Sequence, residues 1–286
     1  MKIQILAHMH NINCKGKILN LAKPMVMGII NATPDSFYKG DLVNGIAEIV
    51  NLATSMLNAG ATIIDIGGQS TKPNAEKISV DEEIKRVIPV IKAMHQKHAD
   101  AIISIDTFYS QVALAAIDAG ASMVNDVSCG QADAAMIPTV GCMQHIPYIG
   151  MHMRGDASTM QKLTNYEDVV AEIISYLQTK KTECNQAGIV DFIADPGFGF
   201  AKNIEQNFKL LKNLEQFKTL DCPILIGVSR KSSIYKTLGT TATEALNGST
   251  VLNTLAINNG ANIIRVHDVK EAVEVVKLME IYKNVD

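Results

Sequence analysis

Arg265 and His267 stand two positions apart in the apolar run IIRVHDV, residues 263 to 269. On a strand that spacing points both side chains to the same side. A buried guanidinium without a partner is strongly unfavourable, so the run predicts that Arg265 meets an anionic ligand. Other apolar, β-prone runs also end in a polar group. Their ends are Asn31, Asp65, Asp106, Asn125 with Asp126, His152, Asp195 and Ser229. Any one of these reads most simply as a helix cap or a satisfied loop group. Eight strand ends of one kind instead point to a shared site. Asp65, Asp106, Asn125 and Asp195 offer acceptors and an amide, which suit a flat heterocycle rich in N–H donors. Arg265, His267, Lys231 and Arg230 gather toward the end of the chain and suit an anion. The ligand expected is amine-rich at one end and anionic at the other.

Four loops add to this. NATPDSF (31–37) is a turn fixed by Pro34, and GGQSTKPN (67–74) is flexible, hydroxyl-bearing and basic. Both could close over a substrate. DPGFGFAKN (195–203) sets Phe198 and Phe200 on a glycine-hinged turn, where loop packing explains Phe198 better than Phe200. SRKSS (229–233) places two cations and two hydroxyls at a helix start, either an anion site or an ordinary N-cap.

The elements that carry these residues repeat. NAGATIIDI, DAGASMVND and NNGANIIRV share one joint, with QAGIVDFIAD a looser copy: a glycine that ends a helix, then a short apolar strand. Helical stripes precede the joints, Ile46, Ile49, Val50, Ala53, Met56 and Leu57 in one, Val112, Ala115, Ala116 and Ala119 in another. Strands are predicted over 25–31, 62–68, 102–107, 123–127, 148–153, 192–197, 224–229 and 263–268. Eight strands, each followed by helix, predict an α/β chain folded as a (β/α)8 TIM barrel with its chemistry at the C-terminal strand ends. A doubly wound open sheet fits less well, since GIINATPDSF lacks the G-x-G-x-x-G fingerprint. Residues 1–24 read as a hairpin covering the barrel bottom, and His8 and His10 as hairpin surface rather than a metal pair. No linker divides residues 1–286, which are expected to form one domain.

Composition narrows the function. In 286 residues, 47% hydrophobic and 19% charged is ordinary for an enzyme with a rigid core. A net charge of -3 excludes the basic face that nucleic acid or an anionic membrane requires. The five cysteines are odd in number and widely spaced, which predicts buried thiols rather than disulfides or zinc. No secretory signal pattern and no membrane-length apolar run is seen, so a cytoplasmic protein is expected.

Taken together, MGIINATPDSF, IIDIGGQSTKP, ISIDT, VNDVS, MHMRG, ADPGFGFAKN, GVSRKSS and IIRVHDV resemble the motifs of the dihydropteroate synthase family in order and spacing. The resemblance spans residues 25 to about 282, and eight motifs in register are specific where one is not. It implies a (β/α)8 barrel, a homodimer, and a transferase of folate biosynthesis. That reaction joins 6-hydroxymethyl-7,8-dihydropterin pyrophosphate to 4-aminobenzoate, releasing pyrophosphate and 7,8-dihydropteroate by an SN1-like route. Carried onto this sequence, it implies a pterin pocket of Asp106, Asn125, Asp195 and Lys231, with Asp65 in the site and Met151 and Phe200 as apolar surface. It assigns pyrophosphate to Asn31, Arg265 and His267, with Mg2+ held by Asn31 and Asp35. Aminobenzoate falls to Phe37, Thr71, Pro73, Lys231 and Ser232. Asp106, Asp195, Lys231, Asn31 and Asp35 are the residues implied to act in catalysis.

Three departures from the family pattern stand in or beside the loops. Gln69 replaces the usual Glu, Lys72 the usual Arg, and the segment after Tyr38 is short. Lys72 keeps charge but loses the forked geometry of arginine. Binding of aminobenzoate, and of the sulfonamides that mimic it, is therefore expected to be altered more than binding of pterin. The alternatives are a non-catalytic pterin-binding paralogue and a pterin-dependent methyltransferase domain. The latter has no use for a diphosphate site, which Arg265, His267 and SRKSS argue for.

Overall fold

The computed structural model describes residues 11–32, 42–69 and 77–285. Its main sheet has eight strands: β3 (Met25–Asn31), β4 (Ile63–Gly67), β5 (Ile102–Asp106), β6 (Met123–Asp126), β7 (Tyr148–Met151), β8 (Phe192–Asp195), β9 (Leu225–Ile226) and β10 (Ile263–Val266). Their spatial order is β8-β7-β6-β5-β4-β3-β10-β9, with every neighbouring pair parallel. A parallel bridge between Ala194 and Ile224 joins the two ends of this order, so the sheet is a nearly closed barrel. All eight predicted strands are present. Seven of them stop one to three residues early, because the chain leaves the ladder at the mouth. β9 is shortest, and beyond it the chain turns at Arg230, whose φ is +54°.

Helices connect the strands: α1 (Leu42–Asn58), α2 (Val80–Lys97), α3 (Ser110–Ala119), α4 (Met136–Gly141), α5 (Val169–Ala187), α6 (Ile204–Lys212), α7 (Ser232–Leu238), α8 (Leu246–Asn258) and α9 (Val269–Asn284). The recurring joint is real, since Gly60, Gly120, Gly188 and Gly260 all lie at φ between +103° and +120°. A left-handed residue ends a helix by letting its N–H reach back to the last carbonyls, and glycine does so without steric cost. Gly188 N, for example, donates to Asn185 O at 3.1 Å. The predicted stripes also face inward: Ile49, Val50, Ala53 and Met56 of α1, and Val112, Ala116 and Ala119 of α3, are buried.

Strand periodicity sorts the core into two parts. Val26, Ile64, Ile103, Val124, Ile226 and Ile264 pack outward against the helices. Met27, Ile63, Ile102, Met123, Ile149, Ile193, Leu225 and Ile263, one from each strand, fill the interior. The same inner cluster includes Ile12, Cys14 and Leu21. These come from the N-terminal hairpin of β1 (Asn11–Cys14) and β2 (Lys17–Asn20), which turns at Lys15 and Gly16, both at positive φ. Asn13 N donates to Asp191 Oδ2 at 2.9 Å, and Lys15 N to His145 O at 2.7 Å. The hairpin thus caps the barrel's N-terminal end as expected, while His8 and His10 lie outside the described residues. All five cysteines are free thiols, and only Cys142 is exposed. No described helix is long and apolar enough to cross a membrane.

Candidate active site

One step of two residues beyond the apolar interior layer, the chemistry of the barrel changes. Ile63 gives way to Asp65, Met123 to Asn125, Ile149 to Met151, Ile193 to Asp195 and Ile263 to Arg265, with Asp106 one further step along β5. Strand geometry alone therefore brings five of the predicted polar residues into one mouth. Arg265 links them. Its Nε donates to Asp65 Oδ2 at 2.6 Å and its Nη2 to Asp106 Oδ2 at 2.5 Å. The Asn125 amide donates to the same Asp65 oxygen at 3.0 Å. Asp65 is fully buried, and its Oδ1 has no hydrogen-bond partner among the described residues.

This geometry corrects two expectations. The charge partner of Arg265 is not only a ligand: two carboxylates from across the barrel already hold it. The cations do not form one group opposite the acids either. Arg265 sits among the acids, and Arg230 turns away to bind Asp268 through Nε at 2.9 Å and Nη2 at 2.7 Å, with Nη1 donating to Ala242 O and Thr243 O. A left-handed backbone at Arg230 directs this outward turn. Nη1 of Arg265 forms no hydrogen bond with the described residues, which leaves it a donor for an anion.

Burial works against the charge of Arg265, but Asp65 and Asp106 hold it firmly protonated. Burial pushes the Asp106 carboxyl up, Arg265 opposes this, and the nearby Asp65, Asp126 and Asp195 reinforce it. Three buried carboxylates, those of Asp65, Asp106 and Asp195, thus share one guanidinium at the mouth. Where its carboxylates are ionised, such a cluster can stabilise positive charge placed against it.

Asp195 forms a second centre. Burial raises its pKa, opposed by Lys231, by the Gly197 N–H that donates to its Oδ1 at 2.7 Å, by Lys202 and by Arg265. Lys231 precedes α7, donates from Nζ to Phe198 O and lies over the Phe200 ring at 4.5 Å from its centre. Burial lowers the Lys231 pKa to about 8, with Asp195 opposing. Phe198 is fully buried and Phe200 half-buried at the mouth, in line with loop packing for the first alone. Ser232 is half-buried in the first turn of α7.

His267 is exposed on the other flank, with Nδ1 3.0 Å from Ser229 Oγ. Desolvation of its ring, then the Arg265 guanidinium beside it, lowers its pKa to about 4 in the absence of an anion. Asn31 ends β3 at the exposed rim. Asp35, Phe37, Thr71, Pro73 and Lys72 fall outside the described residues. Gln69 is half-buried, and its Oε1 accepts from Ile78 N at 3.4 Å.

Two strand-end residues serve the scaffold instead. Asp126 faces outward and accepts from Ser128 N, Ser128 Oγ, Gly130 N and Tyr148 OH, each at 2.7 Å. His152 is buried behind β7, and burial, with Lys202 and Arg154 adding to it, drops its pKa to about 2. Three features were not anticipated. Buried Glu83 accepts from Thr107 Oγ1 at 3.2 Å, beside Asp106. Lys202 is buried under the 195–202 turn. A cavity of about 520 Å³ opens over β4 to β8, lined by Gln69, Lys77, Phe108, Val127, Met153 and Phe200 among others. Lys77 stands 4.9 Å from the ring centre of Phe108. Phe108 follows directly on ISIDT, the only sequence signal that could have drawn attention to it.

Comparison with known proteins agrees with this fold. The family model described as "Pterin binding enzyme" matches residues 27–267. The chain is 42% identical to dihydropteroate synthase of Escherichia coli (strain K12), over 93% of this chain and 94% of that protein. Among solved structures it resembles Xanthomonas albilineans dihydropteroate synthase with 4-aminobenzoic acid, with a TM-score of 0.89 at 36% identity, covering 97% of this chain and 100% of that one. It also resembles the Yersinia pestis enzyme in complex with a sulfonamide drug, with a TM-score of 0.90 at 37% identity, covering 96% and 100%. An eight-stranded barrel with this acid, amide and arginine cluster in its mouth, matched along nearly its whole length, belongs to the dihydropteroate synthases of the pterin-binding enzyme family.

Proposed function

We propose that the protein condenses 6-hydroxymethyl-7,8-dihydropterin pyrophosphate with 4-aminobenzoate to give 7,8-dihydropteroate and pyrophosphate, as a transferase of folate synthesis. The observation that carries this reading is the cluster of Asp65, Asn125 and Asp106 around Arg265, with Asp195 and Lys231 beside it. Carboxylate and amide oxygens match the N–H groups of a pterin edge. Asp106, Asn125, Asp195 and Lys231 bind that ring, Met151 and Asp65 lie beneath it, and Phe200 covers it.

The pterin methylene C–O bond breaks first, its electron pair leaving on the diphosphate. The aminobenzoate nitrogen lone pair then forms the new C–N bond, and the amine proton passes to solvent. The amine needs no base before attack, so departure of the diphosphate is the difficult step. Arg265 serves both ends, neutralised by Asp65 and Asp106 while its free Nη1 meets the diphosphate beside His267 and Asn31. The buried carboxylates offset positive charge growing on the pterin. Mg2+ is proposed on Asn31 and Asp35, whose hard oxygens suit it, where it would help carry the charge of the leaving group. Aminobenzoate is assigned to Phe37, Thr71, Pro73, Lys231 and Ser232, the surface for which sulfonamides would compete.

Two further assignments accompany this. Residues 1–286 act as one domain in the cytoplasm. The chain works as a homodimer, a reading supported by exposed Val251 and Leu255 on α8 and Leu278, Ile281 and Tyr282 on the adjacent α9.

Release of pyrophosphate, followed by a coupled assay, tests the reaction. Product is expected only with both substrates and Mg2+ present. Pterin binding without turnover would instead identify a non-catalytic paralogue. Sedimentation should give a species of two 31.0 kDa chains.

A further inference from the structure

Lys202 has no part in the mechanism above, yet it is buried, at 5% exposure, directly behind the site. Its Nζ donates to Gly197 O at 2.9 Å and to Phe200 O at 2.9 Å, and lies 3.2 Å from Nδ1 of buried His152. An ammonium has three N–H donors, and here each has an acceptor. These contacts fold the 197–200 turn around one cation. The turn is tight, because Gly197 sits at φ +73° and a Cβ there would lie 2.0 Å from His152 O. His152 is itself held edge-on to Tyr176, with ring centres 5.0 Å apart, and Tyr166 OH donates to Ala201 O at 3.0 Å.

A methionine would fill this space without the desolvation cost of a buried charge. The position of the charge explains why a lysine stands there. The turn begins at Asp195 and ends past Phe200, so its two site residues are hung on the Lys202 contacts. Asp195 has Lys231 toward the mouth and Lys202 behind it, and both favour its ionised form.

We propose that Lys202 is a positioning residue for the pterin end of the reaction: from behind the site it fixes the turn bearing Asp195 and Phe200, and its charge keeps Asp195 an acceptor. This rests on the functional reading given above. Burial lowers the Lys202 pKa to about 7, with Asp195 opposing and Lys231 and Arg154 reinforcing the shift. When Lys202 releases its proton to solvent, its two remaining N–H groups still serve Gly197 O and Phe200 O. His152 then donates from Nδ1 to the amine lone pair, by a change of tautomer. The turn keeps its shape while the charge behind Asp195 disappears. The groups facing this pair are Asp195 from β8, Lys231 ahead of α7, Arg154 after β7, Tyr166 from the loop before α5, and Tyr176 from α5.

The test compares binding of 6-hydroxymethyl-7,8-dihydropterin pyrophosphate to native, Lys202→Met and Lys202→Arg proteins between pH 6 and 9. Lys202→Met should weaken pterin binding about tenfold or more, as expected for loss of a charged hydrogen bond, and leave the KM for aminobenzoate within about twofold. Native affinity should fall as pH rises through about 7, before the further fall that Lys231 brings near 8, and Lys202→Arg, whose guanidinium does not titrate there, should lose the first step and keep the second. If Lys202→Met fails to fold, the pH profile of Lys202→Arg decides alone. Native-like binding by Lys202→Met, or a Lys202→Arg profile superimposable on the native one, overturns the inference. A native protein that binds no pterin sinks the functional reading and this inference together.

Discussion

Arg265 is the residue on which the mouth of the barrel depends. Its partners lie 200 and 159 positions away in the chain, which is why its role was only half legible. The sequence places Arg265, Asp65, Asp106, Asn125 and Asp195 at strand ends that share one site. It carried no information on which of them meet across the barrel, so an internal partner looked like a missing one. Lysine keeps the charge but cannot fork between two carboxylates. Arg265→Lys should therefore leave one buried acid uncompensated, cost roughly 3 kcal/mol in urea unfolding and lower turnover about a hundredfold. Wild-type stability and rate in that variant would refute the role. Glu83 carries no mark in the sequence, because an acid in the first turn of a helix is ordinary. Burial, then Asp106, raises its pKa from 4.5 to about 8, against Thr107 and Arg86. A raised pKa contributes stability fully present below pH 4.5 and lost as pH rises through about 8. Glu83→Gln lacks that loss. Relative to the native protein, its melting temperature should rise by several degrees between pH 5 and pH 9, and a constant difference would refute this.

At the scale of the element, the glycine joints were fully legible because a backbone demand leaves a direct mark on residue type. Helix-ending glycines differ in what surrounds them, and that the sequence hides. Gly120 lies at φ +120°, and a Cβ there would meet His95 Cγ at 2.5 Å. Gly239, which caps α7 but belongs to no joint, lies at φ +65° with nothing within 4 Å. Gly239→Ala should cost about 1 kcal/mol, the strain of the left-handed backbone alone. Gly120→Ala should cost at least about 2 kcal/mol more, because α2 must shift as well. Thermal unfolding of the two variants measures the difference, and equal losses would contradict it. The turn after β8 shows the same division. DPGFGFAKN announced a hinge, while the buried Lys202 that organises it reads in sequence as one more surface cation.

For the molecule as a whole, eight strand–helix repeats made the barrel readable, but the seam was not. β8 and β9 meet through one bridge and the bond from Ala194 N to Pro223 O at 2.9 Å, whereas β3 and β4 share five registered pairs. The Ala194 amide should exchange with deuterium well before the amides of β4, as mass spectrometry of peptides across each junction can show. Equal protection would mean that the ring opens nowhere in preference. At the opposite end Ile12, Cys14 and Leu21 of the hairpin pack against the eight-residue apolar layer, so among the described residues the floor of the barrel is closed. With that floor shut, a ring seated deep in the mouth would have to enter before the partner stacked above it, and the joined product would withdraw through the same opening.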